Sequence, residues 1–231
     1  MKYHIDFGAG SKLEDLSKRY IAEVYQDNII VAIDRREPQE KDFREIMDKH
    51  YKREGNTWKK ISEPNLGYKF IDYYIVDDFR NKIDWLPLAD TWQCVSTFEH
   101  FKEEDIISSM RGIYNKISDK SRGHLHIDLT DHRQYPPDPN NCWYHYENPE
   151  YARTTTDQYR GLFLNRITHS EWDILIPCFF NVESSSLDPD FTVYARHNLS
   201  KRNEIDEITI DFMDSIRNAE QEFSLAFESN D

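Results

Sequence analysis

The segment Tyr3-His4-Ile5-Asp6-Phe7-Gly8-Ala9-Gly10-Ser11 joins a short run of strand formers to a turn that holds two of the chain's seven glycines. Lys12 to Tyr25 follows with Leu13, Leu16, Tyr20 and Val24 at spacings of three and four, the period of one helix face. Asn28 to Ile33 then runs Asn-Ile-Ile-Val-Ala-Ile, the continuous apolar pattern of a strand buried on both sides, and ends at Asp34. Strand, glycine turn, helix and buried strand make one βαβ unit. Such a turn is a device for offering backbone N–H groups to the polar tail of a ligand.

Outward from this unit the alternation continues. Residues 39–53 predict a charged helix that buries Phe43, Ile46, Met47 and His50. Ile71 to Val76 is a third strand ending at Asp77-Asp78, and Trp92 to Ser96 a fourth. Lys102 to Ile117 is a helix with Ile106, Met110, Ile113 and Ile117 in phase, and Leu125 to Leu129 is a fifth strand. Strands separated by helices or crossover loops imply a mostly parallel sheet in a single α/β domain. Ligands bind beyond the carboxyl ends of such strands. Those ends carry Gly8 and Gly10, Asp34, Asp77 and Asp78, Ser96 to His100, and Asp128 to His132.

Residues 133–163 break the rhythm with Pro136, Pro137, Pro139 and seven aromatic residues, which reads as a lid or acceptor-binding insertion. A helix over Ser170 to Cys178 follows, then strands at Asn181 to Ser185 and Phe191 to Arg196 across the turn Leu187-Asp188-Pro189-Asp190. Ile205, Ile208, Phe212, Ile216, Ala219, Phe223 and Phe227 predict a long amphipathic helix over 203–231.

The 231 residues carry 43 acidic against 29 basic side chains, a net charge of −14. That balance argues against nucleic acid or an anionic membrane as partner, since both select concentrated Lys and Arg. Much of it belongs to the last helix, where residues 203–231 hold nine acids and one arginine. No run is long and apolar enough to span a membrane. Charges recurring from Lys12 onward predict no signal peptide, and three unpatterned cysteines (Cys94, Cys142, Cys178) predict reduced thiols in the cytoplasm.

With these elements in order, the chain resembles the class I S-adenosylmethionine-dependent methyltransferases. Asp6-Phe7-Gly8-Ala9-Gly10-Ser11 resembles the family's first motif, an acidic residue and a glycine-rich turn. Asp34 stands at the family's ribose-binding acidic position, and Asp77 or Asp78 at the position that contacts the adenine amino group. Ala89-Asp90 through Glu99-His100 resembles the fourth-strand motif, which includes Ser96 and ends in a Glu-His pair. Phe163 to Trp172 resembles the segment before the last helix in some small-molecule members. The resemblance implies a Rossmann-like sheet with an antiparallel last strand and helices on both faces. It implies S-adenosyl-L-methionine as cofactor, bound by Asp6, Gly8, Gly10, Asp34, Asp77, Asp78 and Ser96. One departure is Lys12, which stands where a third glycine is common. The dinucleotide pattern G-x-G-x-x-G fails at Leu13.

Methyl transfer to a hydroxyl needs a group that takes the acceptor's proton. Glu99, His100, Asp128, Asp131 and His132 cluster beyond strands four and five, with His132 the first candidate base, oriented by Asp131, and His100 the next. The histidines of 124–145 match no zinc spacing, so no metal is expected. The acceptor is expected to be a small molecule, a saccharide or saccharide precursor, recognised by the aromatic insertion. Two other readings compete: a non-catalytic methyltransferase-like binding module, and a protein methyltransferase. A monomer or homodimer is expected.

Overall fold

The apolar run beginning at Asn28 is the second strand of a sheet, and its neighbours set the architecture. The computed structural model describes residues 2–11, 13, 16, 27–128, 167, 169–187 and 193–215. In chain order the elements are β1 (Lys2–Phe7), β2 (Asn28–Asp34), α1 (Lys41–His50), β3 (Tyr51–Glu54), β4 (Thr57–Lys60), β5 (Tyr73–Val76) and β6 (Ala89–Val95). Then come α2 (Glu103–Tyr114), β7 (Ile117–Asp128), α3 (His169–Phe179), β8 (Phe180–Asn181), β9 (Ser184–Leu187) and β10 (Val193–Lys201). Residues 207–215 form a further helix, α4.

Strands β5, β2, β1, β6 and β7 lie side by side and run parallel. β10 joins β7 antiparallel, and β9 pairs antiparallel with β10 and so runs with the parallel set. The two sides of β2 bury different residues, as a two-sided strand requires. Val31 and Ile33 join Ile5, Ile75, Trp92 and Leu125 in one core, covered by Ile106, Met110 and Ile113 of α2, Trp172 and Leu175 of α3, and Ile210 and Met213 of α4. Ile30 and Ala32 face the other way, with Tyr74, against Phe43 and Met47 of α1 and against Leu16. The fold is thus a Rossmann-like α/β sheet, mostly parallel, with an antiparallel strand at its end and helices on both faces. Among the described residues no helix is long and apolar enough to cross a membrane.

Three local expectations need correction. The helix expected over 39–53 ends at His50, and the chain turns back as a β3–β4 hairpin that adds antiparallel to β5. The Gly55 turn (φ +63°) and burial of Tyr51, whose hydroxyl donates to the Ile71 carbonyl, outweigh the helical period. The fifth strand is far longer than Leu125 to Leu129: it starts at Ile117, which pairs with Ala89, and after an irregularity across the polar residues that follow, pairing with β6 resumes at Arg122. Gly123 permits that pairing: a Cβ there would lie 1.9 Å from the Trp92 ring of β6.

The last helix is phased differently from the expected stripe. Ile210 and Met213 are buried, whereas Ile208 and Phe212 are 84% and 63% exposed. Its start sets the phase: the Asp206 N–H donates to the Cys178 carbonyl, and the Asp206 carboxylate accepts the Thr209 N–H. In the helix expected over Lys12 to Tyr25, Leu13 and Leu16 are helical and Leu16 is buried. The 133–163 insertion and the rest of the 203–231 helix lie outside the described residues, as do residues 191 and 192 of the expected last strand.

Candidate functional site

The parallel register brings the ends of β1, β2 and β6 together around the glycine turn. Gly8 and Gly10 both have positive φ, +69° and +89°, which glycine adopts without steric cost. Gly8 has a second reason to lack a side chain. A Cβ would lie 2.3 Å from Thr97 Cγ2, in the loop that follows β6. The Thr97 hydroxyl lies 3.1 Å from the Gly8 carbonyl and 3.0 Å from the Val95 carbonyl, so it ties the turn to the end of β6.

The turn's N–H groups do not point outward as the sequence reading expected. Gly8 and Ala9 both donate to the Ile33 carbonyl, at 2.8 and 3.1 Å, and Gly10 donates to Asp34 Oδ2 at 2.9 Å. The Leu13 N–H donates to the Glu40 carboxylate at 3.0 Å. These donors pin the turn to β2 and to the loop after it. Each is satisfied internally, as buried backbone groups must be.

Asp34 is nearly buried and already engaged. Its Oδ2 accepts the Gly10 N–H, and its Oδ1 accepts the Arg36 N–H at 2.9 Å and the Arg36 Nε at 3.2 Å. Each carboxylate oxygen has two acceptor sites, so capacity for a ribose hydroxyl remains. Tyr74 closes the turn from β5: its hydroxyl lies 3.0 Å from the Gly10 carbonyl and 2.8 Å from that of Arg36. Behind the turn, buried Asp6 accepts a hydrogen bond from the Gln93 side-chain amide at 2.9 Å. Nearby on β1, burial lowers the His4 imidazole to about 4, outweighing the opposing pull of Asp6.

Asp77 and Asp78 both sit just past β5, facing protein donors. Asp77 accepts from the side-chain amides of Asn56 and Asn81 at 2.8 and 2.7 Å. Asp78 accepts Arg80 Nε and Nη2, with Arg35 3.6 Å away. Burial alone would raise the Asp78 carboxyl, but the hydrogen bonds and charge of Arg80 hold it below its ordinary range.

Past β6, Ser96 is held in the left-handed region (φ +48°). Its N–H donates to the His126 carbonyl at 2.9 Å and its Oγ lies 3.2 Å from His126 Nδ1. A 3-10 turn over Phe98–His100 follows, in which His100 is half-buried. Glu99, in the middle, is 2% exposed, and neither carboxyl oxygen has a hydrogen-bond partner among the described residues. Its carboxyl is raised well above the ordinary range by burial and then by the Asp128 charge at the end of β7. The N–H groups of Glu99 and Asp128 offset this only in part, neither reaching hydrogen-bond geometry. Of the candidate bases, Asp131 and His132 lie outside the described residues.

The structure therefore brings Asp6, Gly8, Gly10, Asp34 and Ser96 around the ends of adjacent strands. Asp77 and Asp78 stand one strand further out. Thr97, Tyr74, Gln93 and Glu40 build the turn and were not singled out by sequence. Thr97 and Gln93 are nearly ninety residues from the groups they hold, so only the β1–β6 pairing reveals them.

No protein-family model matches the sequence, and no curated protein matches it. Solved structures do. The chain is similar to the 1,6-didemethyltoxoflavin-N1-methyltransferase of Burkholderia thailandensis, with bound 1,6-didemethyltoxoflavin and S-adenosylhomocysteine (TM-score 0.51, 12% identity, 87% of this chain and 71% of that one). It is similar to a mitomycin 7-O-methyltransferase (TM-score 0.51, 14% identity), covering 87% of this chain and 49% of that one, about half its length. A third is a 16S rRNA (adenine(1408)-N(1))-methyltransferase from Catenulisporales acidiphilia (TM-score 0.50, 12% identity, 87% of each chain). At these identities the likeness concerns the fold, and the fold is that of the class I S-adenosylmethionine-dependent methyltransferases.

Proposed function

We propose that the chain is an S-adenosylmethionine-dependent methyltransferase acting on a small molecule. The observation that carries this reading is the meeting of the glycine turn with the end of β6, where Thr97 lies so close that Gly8 admits no Cβ. Residues of the kind the cofactor needs are present there: two positive-φ glycines, an acidic group with one spare acceptor site on Asp34 Oδ2, and buried Asp6 behind the turn. Asp34 would accept from the ribose, and the turn would lie along the amino-acid tail. When bound, S-adenosylmethionine supplies an electrophilic methyl group. The protein's own contribution is alignment and exclusion of water. Asp77 and Asp78, past β5, would face the adenine side, and Ser96 and His100 the reacting end.

The neighbours act on a small heterocycle, on mitomycin and on rRNA, by their names, so the fold leaves the acceptor open. The net charge of −14 favours a small molecule over RNA, since an acidic chain repels a phosphate backbone. We infer a saccharide or saccharide precursor as acceptor, with Asp131 and His132 as the proton-accepting pair, from the aromatic insertion and the Asp-His order in the sequence. A specific observation favours a second reading, a binding module without catalysis: the turn's N–H groups are already satisfied within the protein, and three donors already occupy Asp34.

Calorimetry with S-adenosylmethionine separates the two. The enzyme reading expects saturable binding in the micromolar range, about −8 kcal/mol. Asp34→Asn, which leaves one acceptor oxygen for two sets of donors, is expected to weaken binding about tenfold or more. No heat at millimolar ligand would overturn the enzyme reading, and unchanged affinity in the variant would remove Asp34 from the site.

A further inference from the structure

Folding gains nothing from Glu99 as it stands. A carboxyl that is 2% exposed and has no hydrogen-bond partner among the described residues is costly, and an apolar side chain of the same size would pack there without that cost. Its position is specific. It lies two residues beyond Thr97, whose hydroxyl holds the Gly8 carbonyl, and its carboxyl feels Asp128 at the end of the adjacent strand. Glu99 therefore lies just past β6 and within reach of the Asp128 charge at the end of β7, on the sheet edge where the methyltransferase reading puts the reacting end of the cofactor.

We propose that the Glu99 carboxyl is the counter-charge for the positive sulfur of bound S-adenosylmethionine, and the residue by which this chain tells that cofactor from S-adenosylhomocysteine. The inference rests on the methyltransferase reading above. In the free protein burial, and then the Asp128 charge, raise the Glu99 carboxyl well above its ordinary range and so favour its protonated form. Beside a sulfonium, Glu99 releases its proton to solvent and becomes the carboxylate. For opposite charges about 6 Å apart at an effective dielectric near 20 the attraction would be about two pK units, which sets an upper limit of roughly a hundredfold in binding. Partial hydration brings the expected preference to about tenfold. Methyl transfer breaks the carbon–sulfur bond, with its electron pair going to sulfur, and the acceptor's lone pair forms the new bond. The sulfur is then a neutral thioether. Glu99 loses its counter-charge, recovers a proton from solvent, and the product is held more weakly.

The two ligands share an ammonium, a carboxylate, a ribose and an adenine, so they differ at the sulfur alone. Calorimetry at pH 7 in two buffers of different ionisation enthalpy counts the protons released on binding each. Wild-type protein is expected to release about one more proton with S-adenosylmethionine, and to bind it about tenfold more tightly. Glu99→Gln should abolish the extra proton and the preference while keeping affinity for S-adenosylhomocysteine. Glu99→Met serves the same purpose if the amide does not fold. Equal proton counts in wild type, or an unchanged difference in the variants, would overturn the proposal and leave the methyltransferase reading intact. Failure of wild type to bind either ligand would overturn both.

Discussion

Replacing Gly8 by alanine tests how the glycine turn is built. The new Cβ would lie 2.3 Å from Thr97 Cγ2, 2.4 Å from its Oγ1 and 2.9 Å from its Cβ. The backbone at φ +69° charges a non-glycine residue about 1–2 kcal/mol. Forcing a methyl group into a filled site costs roughly 1–3 kcal/mol more. Thr97 can retreat only by giving up its hydrogen bonds near the Gly8 and Val95 carbonyls, about 1 kcal/mol. The expected loss is therefore about 3–6 kcal/mol in urea unfolding, or about 10 °C or more in melting temperature for a chain of this size. A double-mutant cycle identifies the cause. Thr97→Ala removes the two nearest atoms, so the Gly8→Ala/Thr97→Ala protein should recover about 1–3 kcal/mol relative to the sum of the single changes. A Gly8→Ala protein melting within 2 °C or so of wild type, or strict additivity in the cycle, would refute the close contact that places β6 on the turn.

Gly123→Ala is expected to displace the Trp92 indole, whose ring lies 1.9 Å from the would-be Cβ, with a loss of about 3 kcal/mol or more and a red-shifted tryptophan emission; unchanged emission and stability would contradict the packing. In the last helix, Ile210→Ala should cost about 2–4 kcal/mol and Ile208→Ala less than about 0.5 kcal/mol, and the reverse order in urea unfolding would show that the helix is phased as its sequence stripe suggested. Glu99 gives a pH prediction with a definite sign. Its carboxyl is raised on folding, so its contribution to stability is full below the unfolded value and is lost as pH rises. Above that value the wild-type chain must take up a proton to fold, which Gln does not require. Glu99→Gln should raise the melting temperature at pH 7.5, with the gain shrinking toward pH 4; a gain independent of pH would mean Glu99 is not buried neutral.

The layers of the fold were legible because β2 carries two sets of apolar residues, Ile30 and Ala32 for one core and Val31 and Ile33 for the other. That pattern is local and follows from strand geometry. The β3–β4 hairpin was illegible for the opposite reason. Residues 51–53 continue a helical period, and only pairing with β5 and the distant partner of Tyr51 select the extended form. In the last helix the apolar stripe is real, yet Asp206 and its bond to Cys178 turn another face inward.

The glycine turn shows where this division falls at the site itself. That Gly8 and Gly10 must be glycines follows from a turn between a strand and a helix, and both do adopt positive φ. Where their N–H groups point does not follow, because each donor chooses between a ligand and the nearest internal acceptor. Here β2 ends beside the turn, and the Ile33 carbonyl and the Asp34 carboxylate take all three donors from Gly8, Ala9 and Gly10. The glycines thus act by allowing close approach, to Thr97 on one side and to β2 on the other. A ligand at this turn would meet its carbonyls and the one spare acceptor site of Asp34, rather than a ring of free donors. Such a surface favours a ligand rich in donors and positive charge over an anionic tail. S-adenosylmethionine, in which an ammonium, a sulfonium and ribose hydroxyls outweigh a single carboxylate, comes nearer to that character than a dinucleotide pyrophosphate does.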